Sequence, residues 1–73
     1  MKEKDIINNP SHYTMHDIEP INVIESWQLG FHLGNTIKYI ARCEYKGTKL
    51  QDLKKARFYL DRCIKNMEAQ ESE

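Results

Sequence analysis

Cysteine, glycine and proline are scarce in this chain of 73 residues, and each scarcity narrows the possible classes of protein. The two cysteines cannot build the disulfide framework of a small secreted domain. We therefore expect Cys43 and Cys63 to be reduced thiols of a cytoplasmic protein. The three glycines form neither a GxGxxG nor a GxxxxGK[ST] motif, so a phosphate site in this chain is not a P-loop.

Long apolar runs and a net charge are also missing. No apolar run approaches the length of a membrane span, and none follows the basic start, so we expect neither a membrane helix nor a signal peptide. Eleven Lys and Arg residues balance eleven Asp and Glu residues, which argues against a surface devoted to nucleic acid or membrane. The charge is unevenly placed, however, because most basic residues lie between positions 38 and 62.

The length predicts a single small domain over residues 1–73, with frayed ends at 1–5 and 70–73. A chain of this size buries little apolar surface and is marginally stable alone. Without a disulfide framework, self-association is the expected route to stability, so we predict a homo-oligomer.

The first part of the chain predicts an irregular segment followed by a short helix. Residues 1–18 show no hydrophobic periodicity and are rich in Asn, Pro, Ser and His. A helix is predicted to begin at Pro20, a favoured first-turn residue, and to stop at Gly30. Its predicted apolar face consists of Ile21, Ile24 and Trp27.

The rest of the chain predicts a helical hairpin. One helix is expected from about His32 to Lys46, ending at Gly47. The next is expected to begin at Thr48, which forms a capping box with Gln51. The predicted apolar arc of this helix consists of Leu50, Leu53, Ala56, Leu60, Cys63, Ile64 and Met67. Strand signals are absent, so the predicted class is all-α.

The second predicted helix carries an unexplained polar stripe opposite its apolar side. At about 100° per residue, the stripe falls within an arc of roughly 100°. Its ionisable groups are cationic apart from one tyrosine, and none has an acidic partner four residues away within the stripe. The stripe consists of Asn35, Lys38, Tyr39, Arg42 and Lys46. It is either a solvated helix face or part of an anion site.

The third predicted helix offers a second wall for such a site. Asp52, Lys55 and Tyr59 lie beside its apolar arc, and antiparallel packing would bring them to the polar stripe. Lys and Arg bind phosphates, and tyrosine rings stack on bases, which is the chemistry of a nucleotide site. The tyrosines could equally be packing residues with hydrated hydroxyl groups.

Other kinds of site have less support in the sequence. His12, His16 and His32 with the two cysteines suggest a metal, but no CxxC or HExxH motif occurs, so we predict none. No base is positioned to activate Cys43 as a nucleophile. Three helices with a basic middle also suggest helix-turn-helix DNA binding, which the balanced total charge disfavours.

The motifs NPSHYT, IEPINVIE, GNTIKYIAR and DLKKARFYLDRCI, spread over residues 9–64, resemble a family of small phage domains of unknown function (SaV-like). That family is related to a phage nucleotide kinase that lacks a P-loop. The resemblance implies a phage origin, an oligomer and a nucleotide-like ligand. Its pattern includes His12, Tyr13 and Gly34, together with members of the stripe and of its second wall. The kinase relative is considerably longer than this chain.

We therefore predict a phage protein that binds a nucleotide, or a cyclic or ADP-ribose-type signal derived from one, in the cytoplasm of the infected bacterium. It would sequester that signal to counter host immunity, without a strong expectation of catalysis. The alternatives are a nucleoside monophosphate kinase, which would need ATP and Mg²⁺, and a module that binds DNA or a host protein. The predicted ligand-binding residues are His12, Tyr13, Asn35, Lys38, Tyr39, Arg42, Asp52, Lys55 and Tyr59. In this scheme Lys38, Arg42 and Lys55 hold the phosphates, the tyrosines contact base or ribose, and Asp52 orients Lys55 or binds a ribose hydroxyl.

Overall fold

The structure is a computed structural model that describes residues 16–45 and 47–71. Within these residues the chain forms three helices and no strand: α1 (Pro20–Ser26), α2 (Phe31–Arg42) and α3 (Lys49–Glu71). The all-α prediction is confirmed for this part of the chain. Most of the irregular segment predicted for residues 1–18 lies outside it. None of the three helices combines the length and the apolar character needed to cross a bilayer.

Helix α1 begins at Pro20, as predicted, and buries that residue. The prediction for its apolar face is only partly right, because Ile21 and Trp27 are more than half exposed. Ile24 is the member of that face that packs inward, where it lies beside Gly34 of α2. This helix of seven residues packs mainly against α2.

The end of α1 differs from the prediction. The helix stops at Ser26, and the residue in the left-handed conformation is Gln28 (φ 55°), not Gly30. The amides of Gln28 and Leu29 turn back to the last helical turn, the latter reaching the Ile24 carbonyl at 2.9 Å. This pair of bonds is a Schellman ending, which satisfies carbonyls that the helix leaves open. Gly30 instead precedes α2 in an extended conformation.

Helices α2 and α3 form the predicted hairpin, and α2 packs mainly against α3. The Thr36 hydroxyl lies 3.5 Å from the Ala56 carbonyl, and Arg42 lies beside Asp52 nearer the connecting turn. Later residues of α2 therefore contact earlier residues of α3, so the two helices run antiparallel. The line between them buries Cys43 together with Thr36, Asp52 and Ala56.

Helix α2 is shorter than the prediction of a helix reaching Lys46. It ends at Arg42, and 43–45 form a turn in which the Tyr45 amide donates to the Arg42 carbonyl at 3.0 Å. This three-residue hydrogen-bond spacing is that of a 3₁₀ turn, which is tighter than an α-helix. Gly47 then takes a left-handed conformation (φ 72°) that glycine adopts without steric cost. Lys46 lies outside the described residues.

The side-chain contacts at the start of α3 also differ from the prediction. Instead of bonding the Gln51 amide, the Thr48 hydroxyl donates to Oδ2 of Asp52 at 3.2 Å. A carboxylate one turn into the helix competes with the backbone for this hydroxyl, so the predicted capping box is replaced. Lys49 and Glu44 join across the turn at 2.8 Å, and this hydrogen bond raises the pKa of Lys49 above its usual value.

The apolar arc predicted for α3 is mostly uncovered. Ala56 is buried and Cys63 is half-buried, because both face α2. The large members of the arc are between 39 and 66 % exposed; they are Leu50, Leu53, Leu60, Ile64 and Met67. Helix α2 packs along the line of Asp52 and Ala56 and leaves the neighbouring arc uncovered, and with 12 residues against 23 it also does not extend along the whole of α3.

Gly34 provides a test of the α1–α2 contact. A Cβ atom at this position would lie 3.5 Å from Ile24 Cγ2, an ordinary van der Waals distance. Alanine is favoured over glycine inside a helix by about 1 kcal/mol. We therefore expect Gly34→Ala to raise the melting temperature by several degrees, at about 4–8 °C per kcal/mol for a domain of this size. Thermal unfolding followed by circular dichroism measures this shift.

Gly47→Ala is the matched control for Gly34→Ala, because its expected effect has the opposite sign. Nothing lies near the added Cβ at position 47, but the left-handed backbone there costs a non-glycine residue about 1–2 kcal/mol. If Gly34→Ala lowered the melting temperature as much as Gly47→Ala, the spacing between α1 and α2 would be tighter than the structure shows.

Candidate functional site

Two tyrosines, one from each helix of the hairpin, form the centre of the candidate site. The rings of Tyr39 and Tyr59 are stacked, with centroids 5.9 Å apart and planes 8° apart. Phe31, the first residue of α2, meets the Tyr59 ring edge-on at 5.8 Å. Both tyrosines are half-buried. The antiparallel packing of α2 and α3 thus brings residues 20 positions apart in sequence onto one flank of the hairpin.

Three cationic side chains surround the Tyr39 ring. Lys38 Nζ lies 4.9 Å from the ring centroid, Lys55 Nζ lies 5.4 Å away and Arg42 Cζ lies 5.6 Å away. These distances are within the range of cation–π attraction. That attraction holds together like charges that repel one another. Tyr39, Tyr59, Lys38, Arg42 and Lys55 are called the tyrosine–cation cluster below.

A buried carboxylate supports the cluster from behind. Asp52 is 1 % exposed, and its Oδ1 lies 3.7 Å from Nε of Arg42. The Thr48 hydroxyl donates to its other oxygen. Nε of Arg42 is buried and makes no hydrogen bond, so the attraction between Arg42 and Asp52 is purely that of opposite charges at this distance. Asp52 thus lies beside the buried Nε of Arg42, while the Arg42 side chain as a whole is 27 % exposed.

This placement corrects the role predicted for Asp52. The sequence pairs it with Lys55 three residues later, or with a ribose hydroxyl. In the structure its ion-pair partner among the described residues is Arg42, and its burial keeps it from an external ligand. The reason is rotation about the helix axis: Asp52 faces α2 together with Ala56, whereas Lys55 lies on the flank.

A groove adjoins the cluster between α1 and α2. Its volume is about 460 Å³, and its walls are mostly apolar, with Ile24, Leu29 and Phe31 among them. Lys38 and Asn35 line one edge of the groove, so Lys38 belongs both to the groove and to the tyrosine–cation cluster. The amide of Asn35 donates to the Phe31 carbonyl at 2.9 Å, leaving its side-chain oxygen for a further contact.

The structure thus brings together seven of the nine predicted ligand-binding residues. Five form the tyrosine–cation cluster, Asn35 lines the adjoining groove and Asp52 lies behind Arg42. His12 and Tyr13 lie outside the described residues.

Two residues that were not predicted as part of the site also belong to it. Phe31 contacts Tyr59 and the groove, and Thr48 anchors Asp52. Phe31 was missed because it was assigned to a loop before α2. A helix beginning one residue earlier would have placed it one turn from Asn35.

The histidines and cysteines do not assemble a metal site in the part of the chain that the structure describes. No group of three or more His, Cys, Asp or Glu side chains there is close enough to hold an ion. His16 has a structural contact instead, since its Nε2 donates to the Ala41 carbonyl at 2.7 Å. Its ring also meets Tyr45 edge-on at 5.2 Å.

The fold and site define a small helical-hairpin domain with a cationic, aromatic surface on one flank. A family model for a protein of unknown function, DUF3310, matches residues 7–61, and the chain belongs to that family. The match covers α1, α2 and all of the tyrosine–cation cluster. Comparison with curated proteins and with solved structures gave no match.

Proposed function

We propose that this protein binds a nucleotide, or a cyclic or ADP-ribose-type signal derived from one, on the flank that carries the tyrosine–cation cluster. The observation that supports this most is the convergence of Lys38, Arg42 and Lys55 on the single ring of Tyr39. A cationic side chain on a helix face that is merely solvated extends into water, away from like charges. Three cations held at one ring concentrate positive charge where an anionic ligand relieves the repulsion.

The phosphates of the ligand would lie on these three cations. Arg42 offers a planar fork of donors that matches a phosphate, and the Asp52 carboxylate restricts its motion from behind. Lys38 and Lys55 add two further positive charges at the same ring. Among the described residues, Asp52 is paired with Arg42 and Glu19 lines the groove together with Lys38, so the three cations of the cluster still outnumber these two acidic groups.

The base would lie in the groove rather than on the Tyr39 ring. That ring already contacts Tyr59 and the three cations, which leaves less room for a base to stack. The adjoining groove is apolar and of a size that suits a small ligand, and Phe31 in its wall offers an aromatic surface. Asn35 at its edge supplies a polar group to select among bases. Lys38 belongs to both the groove and the tyrosine–cation cluster, so it would lie between the base and the phosphates.

The wider proposal concerns biological role. We infer from the family resemblance a phage protein that acts as a homo-oligomer in the cytoplasm of the infected bacterium, where it sequesters a host immune signal. A binding role asks only for affinity. A kinase must also hold an acceptor, a donor and Mg²⁺ in one geometry.

The test is incubation of the purified protein with a panel of nucleoside mono-, di- and triphosphates, cyclic nucleotides and ADP-ribose derivatives, with ATP and Mg²⁺ in parallel samples. Protein and bound ligand are separated from free ligand, released by heat and analysed by chromatography. Recovery of an unchanged ligand is the expected result. Conversion of a monophosphate in the samples with ATP would establish the kinase alternative. Binding of DNA or a host protein, with no member of the panel retained, would contradict the proposal.

A further inference from the structure

The hairpin has two dissimilar faces, and the tyrosine–cation cluster occupies only one. At about 100° per residue, the residues of α3 that face α2 lie along one line, with Lys55 and Tyr59 to one side of it. The exposed apolar residues of α3 are centred roughly 90° to the other side. They form a seam that consists of Leu50, Leu53, Leu60, Ile64 and Met67, called the α3 seam below.

The spacing of the α3 seam is that of a helix packed against another helix. Its members recur three and four residues apart, with the polar Arg57 as the one interruption in the series. Such a 3-4 repeat keeps a narrow apolar stripe in line along a helix and is typical of helix-to-helix seams. Helix α2 does not cover it, because α2 packs on the neighbouring line through Asp52 and Ala56.

Helix α2 widens this face. The Tyr39–Tyr59 stack fixes one flank of the hairpin, so the opposite flank of α2 lies on the same side as the α3 seam. That flank carries Ile40, which is 49 % exposed, with the half-buried Leu33 and Ile37 beside it. By contrast, the hydrophobic residues buried within the described part of the chain are Cys43 and Ala56. More large apolar side chains therefore lie on this face than in the interior.

We propose that a second copy of this chain covers the α3 seam, with the two α3 helices antiparallel across a two-fold axis. A face built from two helices about 10 Å apart, one of them about 34 Å long, is broad enough to supply much of a standard interface of roughly 800 Å² per partner. A self-complementary seam is what an isologous dimer requires. The second copy also provides the apolar burial that a 73-residue chain lacks by itself.

Charge determines the antiparallel orientation. Along the outer edge of the seam, Lys54, Asp61 and Glu68 follow one another at seven-residue steps. In the antiparallel register that places Lys54 of each copy toward Glu68 of the other, the two helix dipoles are opposed. The same register brings the two Asp61 side chains together at the two-fold axis, and the two Lys54–Glu68 pairs outnumber this one like-charge contact. Parallel pairing would align the dipoles and bring the basic starts of both helices together.

This arrangement deepens the proposed self-association and assigns it to a particular face. The two tyrosine–cation clusters then point away from the dimer axis, and each copy carries its own. A dimer therefore binds two ligands at separate positions, rather than one ligand between subunits. Dimerisation does not depend on the ligand. Experiments can therefore contradict the dimer and leave the ligand site standing, or contradict the ligand site and leave the dimer standing.

The experiment is sedimentation equilibrium of the native protein across a range of concentrations, compared with two variants. Ile64→Glu places a charge in the α3 seam and is expected to raise the dissociation constant at least a hundredfold. Phe58→Glu is the matched control, since Phe58 is similarly exposed (57 %) but points away from the seam on the same helix. It is expected to associate like the native protein. Because Ile64→Glu can lose folding together with pairing, circular dichroism of the native protein on dilution provides a second measurement, and its helical signal is expected to fall as dimers dissociate.

The orientation is tested separately with charge changes. Lys54→Glu is expected to weaken association several-fold, and adding Glu68→Lys in the same chain is expected to restore it. A monomeric native protein at high concentration, or equal loss of association in the Ile64 and Phe58 variants, would overturn the α3 seam as the interface. Failure of Glu68→Lys to restore association to Lys54→Glu would overturn the antiparallel orientation.

Discussion

Replacing Asp52 by alanine is expected to lower the free energy of unfolding by about 2–3 kcal/mol, the largest loss we expect from any single substitution on the ligand-binding flank. Asp52 is the largest fully buried side chain in the described part of the chain, and its two oxygens face Arg42 and the Thr48 hydroxyl. Its removal leaves the Arg42 charge without a partner and the hydroxyl without an acceptor. The Arg42 side chain is 27 % exposed, so water moderates the loss below that of a wholly buried pair.

For a domain of this size the loss corresponds to a fall of on the order of 10 °C or more in melting temperature. Thermal unfolding must be compared at one protein concentration, because self-association also stabilises the folded state. Asp52→Asn keeps a side-chain oxygen for Thr48 and removes only the charge, so it should lie between the native protein and Asp52→Ala. Asp17→Ala, at an exposed position outside the three helices, is the matched control and should change little. Equal melting of the Asp52 and Asp17 alanine variants would show that the buried pair contributes nothing to stability.

Much of the fold follows from local sequence signals. Pro20 fixes the start of α1, and Gly47 with Thr48 marks the turn of the hairpin, because these residues have strong conformational preferences of their own. The end of α1 could not be predicted in this way, since the left-handed position is taken by Gln28 rather than by glycine. A residue with a weak preference adopts that conformation only because the Schellman bonds and the start of α2 require it.

The part of the candidate site that depends on the geometry of single helices and on their antiparallel packing could be predicted from the sequence. Periodicity on α2 placed Lys38, Tyr39 and Arg42 together, and antiparallel packing added Lys55 and Tyr59, as the structure confirms. The partner of Asp52 was missed, because it depends on the rotation of α3 relative to α2. That rotation comes from packing around small buried residues such as Ala56, which no pattern within one helix reveals.

The exposure of the α3 seam has a similar origin. Its spacing predicts an apolar arc, and the structure contains that arc in the predicted place. A pattern of apolar residues shows that a face is to be covered, but not by which partner. Helix α2 packs on the neighbouring line of α3, through Asp52 and Ala56, and so leaves the arc exposed.

Replacing Lys38 and Lys55 together by alanine is expected to weaken binding of a phosphate-bearing ligand about 100-fold or more, because each charge-assisted contact contributes about 1.5–3 kcal/mol. The fold should survive, because the lysines contact the Tyr39 ring through their charged ends and neither belongs to the buried Arg42–Asp52 pair. Isothermal titration calorimetry with the ligand recovered from the nucleotide panel measures the loss, and thermal unfolding checks that the fold is intact.

The control variant, Lys49→Ala with Lys65→Ala, removes the same total charge at positions away from the Tyr39 ring. Lys49 loses only its exposed pair with Glu44, and such surface pairs contribute about 0–1 kcal/mol to stability. If binding depends on the local cluster, only the Lys38–Lys55 variant loses affinity, whereas attraction by overall charge would weaken both variants alike. Added salt separates the two cases further, since it screens long-range attraction more than contacts made directly with the ligand. A native-like affinity in the Lys38–Lys55 variant would remove these two lysines from the site and leave Arg42 as the sole candidate in the cluster for holding phosphate.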